Sequence, residues 1–235
     1  MNTKIILIVL GEPNSTFSEI LFRYFKSKKF INNKNKIVLI GSYKLLLEQM
    51  KKLNYKMKLN QISEINKSIK KKINIININY KFKGAFSNIT DDSNKYIENC
   101  FDLGLKLITN NRDYVLINGP ISKTHFLKKK FPGITEFVAN KTKSKEPVML
   151  IYNKKLAVSP LTTHVPIKNV SKFVKKRKII NSVIKINNFY KSKLKIRPNI
   201  AVMGLNPHCE TIDRLSEEKK EIIPAIKYLI KKKIK

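Results

Sequence analysis

Residues 4–19 read KIILIVLGEPNSTFSE, and this stretch decides the fold because it joins a buried strand to the start of a helix. The apolar run from Lys4 to Leu10 is short and unbroken, as in a strand that is covered on both faces. Thr16 and Glu19 make the T-x-x-E pattern that is typical of a helix start. The stretch therefore predicts one strand-to-helix unit of an α/β sheet.

The same alternation of short apolar runs and longer amphipathic runs continues along the chain. Further strands are predicted at 36–41, 73–78, 113–118, 147–152, 155–159 and 199–203, and helices at 16–28, from 42, at 91–110, at 172–190 and from 216. This pattern predicts the α/β class, with crossover helices between strands. The cleanest seam is Gly119-Pro120, which divides the chain into a first α/β domain at 1–119 and a second at 120–235.

Composition describes a globular protein of the reducing cytoplasm. The 235 residues are 42% hydrophobic, enough to bury a core. Two cysteines, Cys100 and Cys209, cannot form a disulfide framework, so secretion is disfavoured. No apolar run approaches the roughly 18 residues that a membrane helix needs, so no membrane association is expected.

The net charge of +33 raises the possibility of a nucleic-acid partner. Almost all of the basic residues are Lys, whereas base-edge recognition favours bidentate Arg. The surplus is spread along the chain beside many Ile and Asn residues, a bias that an AT-rich coding sequence produces without selection for a ligand. No specific nucleic-acid binding is predicted. Attraction of small anionic substrates, or weak nonspecific nucleic-acid binding, remains open.

Two of the three histidines follow predicted strands in a similar way. His164 comes four residues after Pro160, and His208 ends the run Gly204-Leu205-Asn206-Pro207-His208. The carboxyl ends of strands are where open α/β sheets bind ligands, so two imidazoles there could begin a divalent metal site. Each could equally cap a turn. His125 is interpreted as a surface residue.

Two other candidates have equally simple structural interpretations. Lys123 follows Gly119-Pro120 by one turn and could hold an anion at a helix start, and Thr135 with Glu136 could be a helix cap with an acidic first turn. The sequence contains no G-x-G-x-x-G, Walker or G-x-S-x-G motif, so no standard dinucleotide, P-loop or nucleophile-elbow site is predicted.

Taken together, five motifs resemble one enzyme family from end to end. They are Gly11-Glu12-Pro13, Asn118-Gly119-Pro120 with Lys123, Pro132-Gly133-Ile134-Thr135-Glu136, Leu161-Thr162-Thr163-His164-Val165-Pro166 and Gly204-Leu205-Asn206-Pro207-His208. Their order and spacing are similar to those of the 4-hydroxythreonine-4-phosphate dehydrogenase family. The TTHxP and GLNPH motifs together are specific.

The resemblance implies a fold and a reaction. The fold is the isocitrate-dehydrogenase-like α/β/α type with two interwoven domains, in a homodimer with its site at the subunit and domain interface. The reaction oxidises 4-phosphohydroxy-L-threonine with NAD, or NADP, and a divalent metal such as Zn, Mg or Co. The β-keto acid product decarboxylates to 3-amino-2-oxopropyl phosphate in pyridoxal phosphate (vitamin B6) biosynthesis. His164 and His208 correspond to metal ligands, Thr135 to a substrate contact, and Lys123 is a candidate for proton handling or phosphate contact.

Three departures from the family pattern bear on this expectation. Ile134 stands where the family has a histidine, which removes one substrate hydrogen bond. The glycine-rich opening turn is changed to Asn14-Ser15-Thr16-Phe17. The third metal histidine of the family, within a YHDQ-like motif, has no counterpart before Lys235. We therefore expect a protein that is incomplete at its carboxyl end.

Two other classes of function stay open. A related dehydrogenase acting on a phosphorylated sugar acid would keep the metal histidines and change the substrate contacts, as Ile134 suggests. An inactive fragment or a basic nucleic-acid-binding module would show salt-dependent nucleic-acid affinity without a metal.

Overall fold

The computed structural model describes residues 4–111, 113–128, 130–206, 208 and 216–234. The chain divides into two compact units, Met1–Lys145 and Glu146–Lys235. Among the described residues, the first unit contains five strands and five helices, and the second contains three helices.

The first unit is built on a parallel five-stranded sheet. Its strands are β1 (Ile5–Val9), β2 (Lys36–Gly41), β3 (Leu59–Gln61), β4 (Ile73–Asn77) and β5 (Tyr114–Asn118). The strand order is β3-β4-β2-β1-β5, and every neighbouring pair is parallel. The crossover segments contain helices α1 (Phe17–Lys26), α2 (Lys28–Ile31), α3 (Tyr43–Lys52) and α4 (Asn94–Thr109), and α5 (Ile134–Lys141) follows β5. The predicted α/β class is confirmed.

Helices cover both faces of this sheet. Leu7 and Val38 face one side, where they pack with Phe101 of α4. Ile8 and Leu39, the next residues along the same strands, face the other side and pack with the helices α1 and α3. Because alternate strand residues enter separate cores, the unbroken apolar runs of β1 and β2 are explained.

The strand β3 is absent from the sequence prediction, and a buried polar residue accounts for its position. Asn74 of β4 is fully buried and donates to the Ile37 carbonyl oxygen at 2.9 Å. Its Oδ1 accepts from Asn60 of β3 at 2.8 Å and from the Ile69 amide at 2.9 Å. These bonds attach the polar segment before β4 to the sheet, so a stretch without an apolar pattern is ordered.

The helix starts predicted at Thr16 and Ser42 have different outcomes. Ser42 caps α3, since its Oγ accepts from the Leu45 amide at 3.3 Å, as predicted. Thr16 is the N-cap of α1 but makes no side-chain capping bond, and Glu19 instead pairs with Arg23 at 2.6 Å. The capping-box prediction was wrong in its chemistry, although the helix begins where it was expected.

Helices dominate the second unit. They are α6 (Val170–Phe173), α7 (Lys176–Phe189) and α8 (Ile223–Lys231), with π-helical turns at Tyr190–Leu194 and Glu218–Ile222. Ile179 and Val183 of α7 pack against Ala225 and Leu229 of α8 in a separate core.

The strands predicted in the second unit are not formed in its described residues. Residues 147–152 and 155–159 meet at a single antiparallel bridge, Ile151 with Val158, and residues 199–203 belong to no strand. A strand requires a neighbour that supplies a ladder of hydrogen bonds. An apolar run favours an extended backbone, but it does not show whether a neighbouring strand is present to pair with it.

The division between the units lies later in the chain than Gly119-Pro120. Leu127 and Phe137 are buried in the same core as Phe101 of α4, which places residues 120–145 with the first sheet. Ring contacts join Phe126 and Phe137, whose centroids are 5.1 Å apart. The core of the first unit continues past this turn, so Gly119-Pro120 marks the end of β5 and not the boundary between the two units.

Candidate functional site

The glycine–proline turns at the carboxyl ends of β1 and β5 interlock. Gly11 has φ of +71°, and a Cβ atom there would lie 2.3 Å from the Pro120 carbonyl oxygen. A Cβ atom on Gly119 would lie 2.3 Å from the Leu10 carbonyl oxygen. The Glu12 amide donates a hydrogen bond to the Pro120 carbonyl oxygen at 2.8 Å. Only glycine permits this double approach, so both glycines serve backbone geometry.

Glu12 is a buried carboxyl group at the centre of these turns, with 3% of its surface exposed. Its carboxylate accepts from the Asn14 amide at 3.1 Å and from Ser93 Oγ at 3.2 Å. Burial raises the pKa of Glu12, although both hydrogen bonds oppose the rise. Glu12 belongs to the Gly11-Glu12-Pro13 motif but was not predicted as a site residue, although its place between a glycine and a proline after a buried strand was an available signal.

Lys123 lies in the turn that follows Gly119-Pro120. Ser122 organises this turn, since its Oγ accepts from the His125 amide at 3.1 Å and its carbonyl oxygen accepts from the Phe126 amide at 3.0 Å. The Lys123 side chain is exposed and forms no ion pair within the described part of the chain. It is free to contact an anion.

Asp91 attaches this turn to the start of α4. His125 Nδ1 lies 3.1 Å from Asp91 Oδ1, and Lys128 Nζ lies 2.7 Å from Asp91 Oδ2. The hydrogen bond from Lys128, followed by that from His125, lowers the pKa of Asp91. Asn94 donates to the His125 carbonyl oxygen at 2.9 Å. His125 is a partly exposed residue with a structural partner.

Thr135 lies in the first turn of α5. The N-cap of this helix is Gly133, whose backbone is extended, and Thr135 is half-buried. Phe137, two residues later, packs on Phe126 beside the Lys123 turn. The structure therefore places the Lys123 turn and the Thr135 helix on one packed layer of the first unit.

His164 is exposed on a turn in the second unit. Its φ is +57°, in the left-handed region that histidine adopts more readily than most residues with side chains. Pro166 follows and begins a 3-10 turn at Ile167–Asn169. The backbone bends at His164, and the residue is exposed.

His208 is also exposed, and its turn is organised by two polar side chains. Asn206 Oδ1 accepts from the His208 amide at 3.0 Å. Glu218 Oε1 accepts from the amides of Leu205 and Asn206 at 3.0 and 2.9 Å. The bond from the Asn206 amide contributes most to holding the pKa of Glu218 below its usual range. Pro207 and residues 209–215 lie outside the described residues.

The side chains of the second unit provide two donors suited to a divalent metal. Imidazole nitrogen suits Zn and related ions, and a catalytic zinc site usually has three protein ligands. Among the described residues, no three His, Cys, Asp or Glu side chains are grouped to hold a metal ion. His164 and His208 are thus two exposed imidazoles of this unit, without a complete three-residue ligand group in the described part of the chain.

Solved structures share the fold of this chain. A 4-hydroxythreonine-4-phosphate dehydrogenase from Klebsiella pneumoniae matches 99% of this chain and 73% of its own, with a TM-score of 0.85 at 20% identity. At that identity the likeness shows a shared fold, the α/β fold of these dehydrogenases.

Sequence relatives identify the family. The 4-hydroxythreonine-4-phosphate dehydrogenase of Sulfurihydrogenibium sp. (strain YO3AOP1) is 34% identical over 95% of this chain and 70% of its own length. The 4-hydroxythreonine-4-phosphate dehydrogenase of Aquifex aeolicus (strain VF5) is 32% identical over 100% of this chain and 73% of its own length. The sequence profile of the pyridoxal phosphate biosynthetic protein PdxA matches residues 33–235. This chain belongs to the PdxA family, which confirms the resemblance noted in its motifs.

Proposed function

We propose that this protein oxidises 4-phosphohydroxy-L-threonine with NAD and a divalent metal, as a step of pyridoxal phosphate biosynthesis. Membership of the PdxA family supports the reaction class. The observation that carries the proposal is the presence of His164 and His208 on two exposed turns of one unit.

His164 and His208 bind the metal in this proposal. A bound divalent metal lowers the pKa of an alcohol and polarises a carbonyl oxygen, which favours hydride loss and the later decarboxylation. A bound NAD would supply the hydride acceptor. The positive φ of His164 and the hydrogen bond from the His208 amide to Asn206 Oδ1 define the backbone from which each imidazole projects.

Thr135 and Lys123 act on the substrate. The Thr135 hydroxyl is a hydrogen-bond partner for the substrate at the start of α5, where the helix dipole favours an anion. Lys123 provides an exposed ammonium group for proton transfer when the β-keto acid loses carbon dioxide. Decarboxylation then gives 3-amino-2-oxopropyl phosphate. The net charge of +33 favours the approach of a substrate with a phosphate and a carboxylate.

One observation favours a second candidate function, a dehydrogenase for a phosphorylated sugar acid. Ile134 stands beside Thr135 at the start of α5, and its apolar side chain offers no hydrogen bond to substrate. A substrate without a polar group facing Ile134 would bind at a lower free-energy cost, because none of its polar groups would be left without a hydrogen bond there.

The experiment that tests the proposal measures NADH formation by the complete product of the gene. The reaction mixtures contain NAD, one of Zn, Mg or Co, and either 4-phosphohydroxy-L-threonine or a phosphorylated sugar acid. We expect metal-dependent turnover of 4-phosphohydroxy-L-threonine, with NADP as a weaker acceptor. Turnover of the sugar acid alone would establish the second candidate. Failure with both substrates, at every metal, would contradict the proposed dehydrogenase function.

The proposed setting is a cytoplasmic homodimer without a membrane or specific nucleic-acid partner. Burial raises the pKa of the Cys100 thiol to about 12, and Cys100 is unpaired, which suits a reducing compartment. Exposed apolar side chains on the second unit, such as Leu156 and Val158, support a subunit contact. No helix in the described ranges is long and apolar enough to cross a membrane.

A further inference from the structure

We infer that Glu218 is a positioning residue that orients His208 for metal binding. The inference rests on the proposed function, in which His208 is a metal ligand. Glu218 begins the π-helical turn at Glu218–Ile222 and has 6% of its surface exposed. Acidic side chains are rarely this buried unless a partner satisfies them.

The partner of Glu218 is the backbone of the turn that ends at His208. A single oxygen, Oε1, accepts from the amides of Leu205 and Asn206, at 3.0 and 2.9 Å. Hydrogen bonds to an ionised carboxylate are shorter and about twice as strong as neutral ones. Two consecutive amides directed at one oxygen fix the orientation of the peptide planes on both sides of Leu205.

A second hydrogen bond continues from this point to His208. The Asn206 side chain accepts from the His208 amide at 3.0 Å, so Asn206 is bonded through its own amide to Glu218 and through its side chain to His208. Glu218 thus restrains the backbone of the proposed metal ligand through two successive hydrogen bonds.

The element that carries Glu218 is anchored in the core of the second unit. Ile222 at the end of the π-helical turn and Leu229 of α8 are buried, and they pack with Ile179 of α7. The carboxylate therefore projects from a packed helix, while His208 lies on an exposed turn. Groups that hold a metal ligand by a direct hydrogen bond typically change metal affinity by about 10- to 100-fold when they are removed, and the indirect restraint by Glu218 is expected at the lower end of that range.

A matched control is available three residues along the same segment. Glu221 accepts from the Lys176 amide at 2.7 Å and from Lys175 Nζ at 3.2 Å, at the start of α7. Like Glu218, it binds a backbone amide from one side of the π-helical turn, but its partners are far along the chain from His208. Its loss tests whether any missing carboxylate in this segment weakens metal binding.

The experiment compares wild type, Glu218→Ala, Glu218→Gln and Glu221→Ala as metal-free proteins titrated with Co²⁺. Isothermal calorimetry gives the affinity, and visible absorption reports the ligand field of the bound ion. We expect Glu218→Ala to weaken Co²⁺ binding about tenfold or more and to alter the spectrum. Glu218→Gln retains an oxygen that accepts both amides and should recover most of the affinity. Glu221→Ala should bind within about twofold of wild type.

Two further measurements separate the possible failures. Amide exchange of Leu205 and Asn206 should quicken in metal-free Glu218→Ala, while thermal unfolding shows that the variant is folded. Equal Co²⁺ affinity in wild type and Glu218→Ala would overturn the inference and leave the proposed function standing. Absence of Co²⁺ binding by wild type, or full binding by His208→Ala, would overturn the metal role of His208 and the inference with it.

Discussion

Gly11 and Pro120 approach each other so closely that a Cβ atom on Gly11 would lie 2.3 Å from the Pro120 carbonyl oxygen. This contact joins the turns that follow β1 and β5, the two strands whose carboxyl ends lead to Glu12 and Lys123. The relationship is long-range in sequence and depends on one backbone conformation, the positive φ of Gly11.

Replacing Gly11 with alanine should therefore destabilise the first unit. Alanine in the left-handed region costs about 1–2 kcal/mol, and the clash with Pro120 adds to this cost. We expect Gly11→Ala to lose about 2 kcal/mol or more of unfolding free energy in urea titrations. The control is Gly84→Ala, where the nearest atom to the new Cβ is Ser87 Oγ at 3.9 Å. Equal stability of the two variants would contradict the interlocked-turn geometry.

The buried carboxyl of Glu12 should make stability depend on pH. Burial raises the pKa of Glu12 in the folded protein above its value in the unfolded chain. The folded state then binds more protons than the unfolded state in the interval between the two values. The stability that Glu12 contributes is fully present below the unfolded pKa of about 4.3. It is lost as pH rises through the pKa of Glu12 in the folded protein.

Glu12→Gln removes this titration and keeps a polar side chain of similar size. Across the interval that begins near pH 4.3 and ends above the folded pKa, wild type should lose stability relative to Glu12→Gln as pH rises. Thermal unfolding at closely spaced pH values measures the difference. Glu19→Gln is the control, because Glu19 pairs with Arg23 on an exposed face of α1. A difference between wild type and Glu12→Gln that stays constant with pH would contradict the raised pKa.

The histidine turns of the second unit give a prediction about metal binding. His164→Ala and His208→Ala should each weaken binding of Co²⁺ or Zn²⁺ and abolish most turnover, because an incomplete ligand set holds the ion poorly. The fold should survive, since both residues are exposed. Elemental analysis of bound metal beside thermal unfolding measures the two effects separately.

The control for this pair is His125→Ala. His125 is the remaining histidine, and its ring contacts Asp91 in the first unit. This variant should keep full metal affinity and show at most a small change in stability. Full metal occupancy in both His164→Ala and His208→Ala would refute the metal site. A loss of stability of about 1 kcal/mol or more with metal content unchanged would indicate structural roles for the two histidines.

The role of Thr135 predicts a change in substrate affinity. Thr135→Ala removes the hydroxyl proposed to contact substrate, so KM for 4-phosphohydroxy-L-threonine should rise about tenfold while KM for NAD stays unchanged. Thr135→Ser keeps the hydroxyl and should retain most of the affinity. Thr142→Ala is the control, because Thr142 lies just after α5 and bonds to the Val138 carbonyl oxygen. Unchanged substrate KM in Thr135→Ala would remove Thr135 from the site.

Local pattern predicted the sheet better than it predicted the site. The strands β1 and β2 are continuous apolar runs covered on both faces, and such runs are visible without knowledge of their neighbours. The strand β3 was missed because its place depends on Asn60 meeting Asn74. Residues 199–203 resemble a strand in pattern, but strand assignment depends on a pairing partner that no local pattern names.

The site residues divide in the same way. His164 and His208 were visible because histidine is rare in this chain and both lie in specific motifs. Glu12 and Glu218 were missed because their roles come from contacts with Ser93 and with the Leu205 and Asn206 amides. An acidic residue in a sequence does not reveal whether its carboxylate will be buried against a distant backbone.

Lys123 gives a prediction that distinguishes proton transfer from anion binding. Its ammonium group is exposed, and the Ser122 turn that carries it is fixed by backbone bonds, so Lys123→Ala should leave the melting temperature unchanged. If Lys123 transfers a proton after decarboxylation, kcat should fall about a hundredfold with little change in substrate KM. Lys123→Arg should not restore kcat, because the guanidinium group does not deprotonate in this pH range.

Steady-state kinetics of the complete gene product measure both parameters, with Lys51→Ala in the last turn of α3 as a control for loss of one exposed charge. Recovery of substrate KM by Lys123→Arg, with kcat unaffected in Lys123→Ala, would instead assign Lys123 to the phosphate or carboxylate of the substrate.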